Sequence, residues 1–292
     1  MGNLRGLGVA LVTPFHEDLS IDWESLSRLI EHNIENGAHY LVVLGTTAEV
    51  ATLSLEEKKK IVDYIVGVNN NRLPLVLGIG GNHTLEVKKN IEEVDLSPFE
   101  AVLSVSPYYN RPNQEGIYQH FKSLAETGKK IILYNVPSRT GQNMEASTTV
   151  RLAKEFPNLF MVKEASSRLS QYFDILRTKP KNFSLVSGDD ENTLPVILAG
   201  GNGVISVLGQ AYVKEFSTLV KLAFERKVDE AYLLHNKLVN ITRLIYKEGN
   251  PAGIKTVLAE MGIIKNHLRL PLVRATEGLQ EKIREEMRAF SR

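Results

Sequence analysis

Cysteine is absent from the 292-residue sequence. This excludes disulfide scaffolds, cysteine-ligated zinc sites, iron–sulfur clusters and thiol nucleophiles. The seven histidines also lack the HxH and HxxxH spacings that bring two imidazoles onto one metal ion. The composition therefore predicts no metal site, and any covalent catalysis must use a nucleophile other than cysteine.

The sequence also lacks an excess of one charge. It contains 35 lysines and arginines and 34 acidic residues, for a net charge of +1. Proteins that bind nucleic acid or anionic membranes normally carry a basic patch or tail. No apolar run approaches the roughly 20 residues needed to span a bilayer, and the one near the N-terminus is too short for a signal peptide. We expect no nucleic-acid or membrane partner and a cytoplasmic location.

Short apolar runs are the main feature that the sequence does contain. They are non-alternating and rich in Val, Ile and Leu, as is typical of parallel strands buried on both faces. Eight of them occur at intervals of roughly 20–35 residues, beginning near Gly6, Tyr40, Pro74, Ala101, Lys130, Leu159, Phe183 and Gly203.

Amphipathic stretches separate these runs, and several have helix start signals. Asp22 precedes one stretch, and Ser54 with Glu57 forms a capping-box pattern before another. Eight successive βα units predict an α/β fold, a (β/α)8 TIM barrel over residues 1–225. Residues 226–292 contain only helical patterns and predict a C-terminal helical extension packed on the barrel.

Lys163 breaks the apolar pattern of the sixth predicted strand, FMVKEA. An ammonium group in an apolar interior is strongly disfavoured unless it is paired. Its neighbour Glu164 should point to the opposite face of the strand, so it is poorly placed to neutralise the lysine. Because a neutral amine can attack a carbonyl carbon to form a Schiff base, Lys163 is predicted to be catalytic.

Four further polar residues lie where barrel enzymes carry their chemistry, at the C-terminal ends of strands. Tyr134 ends the strand before that of Lys163 and could transfer a proton to a carbinolamine. Arg139, in the following loop, suits recognition of a carboxylate. Thr46 and Thr47 follow the second strand and could form a small carboxylate cradle. Each also has a structural alternative: rim packing, a solvated arginine or helix capping.

The motifs GTTAE, PYYNRPNQEG, YNVPSRTG, VKEAS, SGDD and GVISV occur in this order over nearly the whole chain. Together they closely resemble the dihydrodipicolinate synthase family of class I Schiff-base aldolases. The resemblance implies a lyase that condenses pyruvate with L-aspartate 4-semialdehyde to give 4-hydroxy-tetrahydrodipicolinate, in lysine and diaminopimelate biosynthesis. It also implies that no cofactor is needed, because the lysine itself serves as the electron sink.

The resemblance assigns roles to individual residues of this sequence. Lys163 would form the imine with pyruvate, while Thr46, Tyr134 and Tyr109 would form a proton relay. Tyr109 would come from a neighbouring subunit, and the assembly expected is a homotetramer built as a dimer of dimers. The expected substrate-binding residues are Thr47, Gly188 and Ile205 for pyruvate and Arg139 for the semialdehyde.

A possible allosteric lysine site is implied at Ala51, Asn82, Glu86 and Tyr108. Two positions that often carry histidine in feedback-inhibited members are Leu55 and Lys58 here. Because the Lys58 side chain should repel a cationic effector, we expect weak or absent inhibition by L-lysine.

Two alternatives remain open from the sequence. The chain could be another pyruvate-dependent lyase on the same scaffold, such as N-acetylneuraminate lyase or a 2-keto-3-deoxy sugar-acid aldolase. Those enzymes tend to lack the arginine of the SRTG loop, so Arg139 and Tyr109 argue against them. It could also be a non-catalytic barrel that senses an amino acid, although a sensor has no use for a buried reactive amine.

Overall fold

The computed structural model describes residues 4–290, in which eight parallel strands close into a barrel in chain order. This confirms the predicted fold class and the predicted order of strands. The strands are β1 Gly6–Ala10, β2 Tyr40–Val43, β3 Leu75–Gly78, β4 Ala101–Val105, β5 Ile131–Asn135, β6 Leu159–Glu164, β7 Ser184–Ser187 and β8 Gly203–Ser206.

Helices surround the barrel, and they begin where the capping signals place them. The Asp22 side chain accepts from Ser25 N, and Ser54 with Glu57 forms the reciprocal capping box. Two helices lie between β5 and β6. The bounds are α1 Trp23–Glu35, α2 Leu55–Asn69, α3 Thr84–Glu93, α4 Gln114–Ala125, α5 Pro137–Thr140, α6 Ala146–Glu155, α7 Leu169–Thr178, α8 Thr193–Leu198 and α9 Val213–Phe224.

Alternate residues of each strand point into the barrel or out towards the helices. The interior holds its own apolar cluster, which includes Tyr40, Ile132, Met161 and Ile205. The outward positions pack against the helices in two larger clusters. This alternation decides which polar side chains of β5 and β6 face the interior.

The barrel closes where β8 pairs with β1, with Gly6 opposite Gly203. Gly203 has φ +135°, and a Cβ there would lie 2.0 Å from the carbonyl oxygen of Gly6. A side chain at this position would both strain the backbone and hold the two strands apart.

Three helices follow the barrel: α10 Val228–Tyr246, α11 Ala252–Glu260 and α12 Glu277–Phe290. α10 packs against α9, and α11 and α12 pack against α10 and against each other. None of the helices within residues 4–290 has the length and apolarity that a membrane span requires. The outer ends of the two predicted parts, 1–3 and 291–292, lie outside the described residues.

Candidate active site

Lys163 and Tyr134 lie opposite each other on neighbouring strands, as the parallel register of β5 and β6 pairs them directly. Both are buried, with 5% and 7% of their surface exposed. Lys163 Nζ lies 4.3 Å from the centroid of the Tyr134 ring. An amine and a phenol therefore share the interior of the barrel near the C-terminal ends of two strands.

No carboxylate within residues 4–290 forms an ion pair with Lys163, and its Nζ makes no hydrogen bond there. The neighbouring Glu164 lies on the other face of β6, where Asn135 Nδ2 and Gln171 Nε2 donate to its carboxylate at 2.8–3.0 Å. Burial raises the pKa of Glu164, and these hydrogen bonds act in the opposite direction. The lysine amine thus lacks the carboxylate partner that a purely structural buried lysine requires.

Gly188 lies directly against the Lys163 side chain. A Cβ at Gly188 would lie 2.9 Å from Lys163 Cε and 2.7 Å from Ala165 Cβ, and its N–H donates to the Glu164 carbonyl at 2.7 Å. The glycine therefore leaves the room that the lysine stem occupies. Ile205 belongs to the interior cluster that also contains Tyr134, and it is fully buried.

The two threonines begin a short 3-10 turn, Thr46–Ala48, after β2. Thr46 is half-buried and Thr47 is buried, with 3% of its surface exposed. Thr47 Oγ1 accepts a hydrogen bond from Asn250 Nδ2 at 3.0 Å. Its own hydroxyl hydrogen has no acceptor among residues 4–290 and can serve a ligand.

Asn250 also contacts Arg139, whose Nη2 donates to the Asn250 carbonyl oxygen at 3.1 Å. One residue of the C-terminal region thus touches both a predicted pyruvate-binding residue and the predicted semialdehyde-binding residue. Sequence reasoning missed Asn250, which lies 203 residues from Thr47. The only local signal was an Asn-Pro dipeptide between two helical patterns.

A second buried lysine was also missed. Lys255 in α11 is fully buried and pairs with the fully buried Glu49, Nζ to Oε1 at 2.5 Å. Glu49 directly follows the threonine turn, and its Oε2 accepts from the backbone N–H of Arg269 at 3.0 Å. Burial lowers the pKa of Lys255 to about 8, while Glu49 acts in the opposite direction. The pair ties the C-terminal helices to the turn that carries Thr46 and Thr47.

Tyr109 lies apart from this group. Its side chain is 90% exposed and its φ is +71°, a left-handed conformation that is uncommon for a residue with a side chain. Tyr108 and Leu85 are also exposed, and Asn82 Nδ2 donates to the Tyr108 carbonyl at 3.0 Å. Of the predicted lysine-site residues, Ala51 and Glu86 are exposed and Asn82 is half-buried.

Within residues 4–290 no cluster of three His, Asp or Glu side chains is arranged to hold a metal ion. The chemically active groups are the Lys163 amine beside the Tyr134 phenol, together with the Thr47 hydroxyl and the Arg139 guanidinium, which both contact Asn250. This set can form an imine with a carbonyl compound, move protons to and from it, and bind carboxylates.

The sequence model of the dihydrodipicolinate synthetase family matches residues 3–290. A curated relative from Flavobacterium psychrophilum, named 4-hydroxy-tetrahydrodipicolinate synthase, is 54% identical over 279 residues, which is 95% of each chain.

Solved structures are similar over the same length. A dihydrodipicolinate synthase from Thermotoga maritima matches with a TM-score of 0.96 and 36% identity, covering 99% of both chains. A structure described as the first monomeric dihydrodipicolinate synthase variant matches with a TM-score of 0.95 and 36% identity, over 98% of this chain and 97% of that one.

Proposed function

The chain belongs to the dihydrodipicolinate synthetase family and catalyses the 4-hydroxy-tetrahydrodipicolinate synthase reaction, and we propose that it does so through a Schiff base on Lys163. The enzyme is a lyase of lysine and diaminopimelate biosynthesis that condenses pyruvate with L-aspartate 4-semialdehyde. The observation that carries the proposed mechanism is the buried Lys163 amine beside Tyr134, which has no ion-pair partner in the part of the chain that the structure describes.

The Lys163 amine attacks the keto carbon of pyruvate, and loss of water from the carbinolamine gives an imine. Removal of a methyl proton converts the imine to an enamine, whose carbon attacks the aldehyde carbon of the second substrate. Tyr134 lies directly opposite Lys163 on the neighbouring strand, and we assign its phenol to the transfer of these protons. We assign Thr46, with Tyr109 of the partner subunit, to the rest of the proton relay.

Substrate binding is divided between two faces of the site. Thr47 contributes a free hydroxyl hydrogen to the pyruvate carboxylate, and Gly188 and Ile205 line the same pocket through their backbone groups. Arg139 at the rim binds the semialdehyde carboxylate, for which a planar guanidinium is well suited.

Borohydride trapping tests the proposed mechanism directly. With pyruvate, the peptide that contains Lys163 should gain the mass of a reduced pyruvate adduct, and without pyruvate it should not. Absence of the adduct on Lys163 would overturn the mechanism. Product formation with aspartate semialdehyde, and none with N-acetylneuraminate, separates this reaction from those of the sugar-acid lyases.

Arg139→Ala should mainly impair use of the semialdehyde. Losing a charge-assisted contact is expected to lower kcat/KM for this substrate by about 10- to 100-fold, while pyruvate trapping on Lys163 stays near wild type. Steady-state kinetics with each substrate varied in turn measure the difference. Arg168→Ala, which removes an exposed arginine from the loop after β6, is the matched control. Unchanged semialdehyde kinetics in Arg139→Ala would contradict the assignment.

A homotetramer made of two dimers remains our proposed assembly. Exposed apolar side chains at the rim, Leu85, Tyr108 and Tyr109, support an interface with a second copy. In such a dimer Tyr109 would be buried against the partner's site. Sedimentation equilibrium of the full chain measures the assembly, and a monomer with full activity would exclude a shared site.

Feedback inhibition by L-lysine is expected to be weak or absent. Glu86 is exposed and could pair with an amino group, but the half-buried Lys58 forms no ion pair within residues 4–290 and would add a repelling charge. L-lysine up to about 1 mM should therefore leave the rate in a coupled assay nearly unchanged. Submillimolar inhibition would refute this expectation.

The division into a barrel over residues 1–225 and an extension over 226–292 stays a prediction, as does the cytoplasmic location. The hydrogen bonds from Asn250 and the Lys255–Glu49 pair support an extension that packs on the barrel.

A further inference from the structure

Asn250 is a small buried residue at the junction of the C-terminal helices with the barrel. Only 8% of its surface is exposed, and it immediately precedes the segment that leads into α11. Its side-chain amide donates to Thr47, and its backbone carbonyl accepts from Arg139. Its Oδ1 is buried and has no hydrogen-bond partner within residues 4–290.

The direction of the Asn250–Thr47 hydrogen bond has a chemical consequence. A threonine hydroxyl has one hydrogen and can accept through its lone pairs. Because Asn250 Nδ2 occupies an acceptor position of Thr47 Oγ1, the hydroxyl hydrogen must point elsewhere. A carboxylate can only accept hydrogen bonds, so a hydroxyl fixed in this way is ready to bind one.

We infer that Asn250 is a positioning residue for the first substrate, which sets the Thr47 hydroxyl as a hydrogen-bond donor towards the pyruvate carboxylate. This inference rests on the proposed function of the site. Asn250 itself need not touch the substrate. Its carbonyl also holds Arg139, but through the main chain, so that contact survives substitution of the side chain.

Asn250→Asp gives the sharpest test, because it changes one amide donor to an acceptor without changing the shape. An aspartate can only accept from Thr47, so the hydroxyl hydrogen would turn to residue 250 and away from the substrate. The added negative charge also opposes a carboxylate ligand. Asn250→Ala only removes the hydrogen bond that orients the Thr47 hydroxyl, so it should weaken pyruvate binding less than Asn250→Asp does.

The measurement is the pyruvate concentration at which half of Lys163 is trapped by borohydride. We expect Asn250→Ala to raise it about tenfold and Asn250→Asp to raise it about tenfold further, in line with hydrogen bonds to charged groups. KM for the semialdehyde should stay within about twofold in both variants, because Arg139 keeps its backbone contact. A merely structural role would affect both substrates alike.

Asn266 supplies a matched control in the same part of the chain. Its Nδ2 also donates to a threonine hydroxyl, Thr256 Oγ1 at 3.3 Å, and its Oδ1 is also buried without a partner in the described residues. Asn266→Asp makes the same chemical change away from the site, and its trapping curve should match that of wild type.

Thr47 provides a test that leaves Asn250 in place, in case the position-250 variants do not fold. Thr47→Val should raise the half-trapping concentration about tenfold, whereas Thr47→Ser, which keeps the hydroxyl, should raise it less than Thr47→Val does. In the Thr47→Val background, Asn250→Ala should have no further effect, because the hydroxyl that it directs is gone.

Two results would overturn the inference. One is wild-type trapping curves in folded Asn250→Asp and Asn250→Ala, or in Thr47→Val. The other is an equal loss of affinity for both substrates in the position-250 variants. Failure of wild-type enzyme to be trapped on Lys163 would instead overturn the proposed mechanism, so the two failures are distinguishable.

Discussion

Lys163→Ala is expected to abolish trapping by pyruvate and to lower the turnover rate by about 10⁴-fold or more. The side chain is the only amine placed against Tyr134 in the described barrel interior, and no other described group there can form the imine. The change should be seen both as a missing adduct on the lysine peptide and as lost product formation.

The fold of the Lys163 variant should remain intact. Lys163 has no carboxylate partner within residues 4–290, so removing its charge leaves no opposite charge buried alone. Lys163→Met keeps most of the stem volume beside Gly188. Its free energy of unfolding should lie within about 1 kcal/mol of the wild-type value. An inactive but equally stable Lys163→Met is therefore the expected pair of results. Residual trapping at another lysine, with normal turnover, would contradict the assignment.

Lys255→Met should have the opposite profile. Its ammonium is fully buried against the Glu49 carboxylate, and its Nζ also donates to the His267 carbonyl at 2.8 Å. Removing one member of a buried pair leaves the other charge uncompensated, so the free energy of unfolding should fall by about 3–5 kcal/mol. Denaturant unfolding, compared with Lys163→Met, measures the contrast between two buried lysines.

A second variant separates the lost charge pair from lost packing. In Glu49→Gln/Lys255→Met both charges of the pair are removed, so neither is left buried without its partner and stability should recover part of the loss. If the double variant is no more stable than Lys255→Met, the destabilisation comes from packing and the pair has the lesser role.

The strands and the reactive lysine were predictable because their signals are local. Each buried parallel strand appears in the sequence as a short apolar run, and Lys163 stands out because it is a charged residue within one of these runs. The spacing of one βα unit was enough to predict that Tyr134 lies on the adjacent strand, and the register pairs the two residues directly.

The partners of the threonine turn could not be predicted in this way. Asn250 meets Thr47 across 203 residues, and Lys255 of α11 meets Glu49 across more than 200 residues of chain. A lysine in the pattern IKTVLAE is compatible with a solvated helix face, and only the three-dimensional packing buries it. Tertiary contacts of this kind leave no period or motif in a single sequence.

The Arg269 contact with Glu49 also determines when the site can be completed during synthesis. These two residues are 220 positions apart in the chain. At about 5–20 residues per second, roughly 10–45 s pass between their emergence from the ribosome. During that interval the Glu49 carboxylate lacks its final partners, because Arg269 and Lys255 have not yet been synthesised or have not yet left the ribosome. The nascent barrel therefore cannot hold Thr46 and Thr47 in their final setting until Lys255 and Arg269 have emerged, so a chain truncated before Lys255 would retain the strand carrying Lys163 yet lack these contacts to the threonine turn.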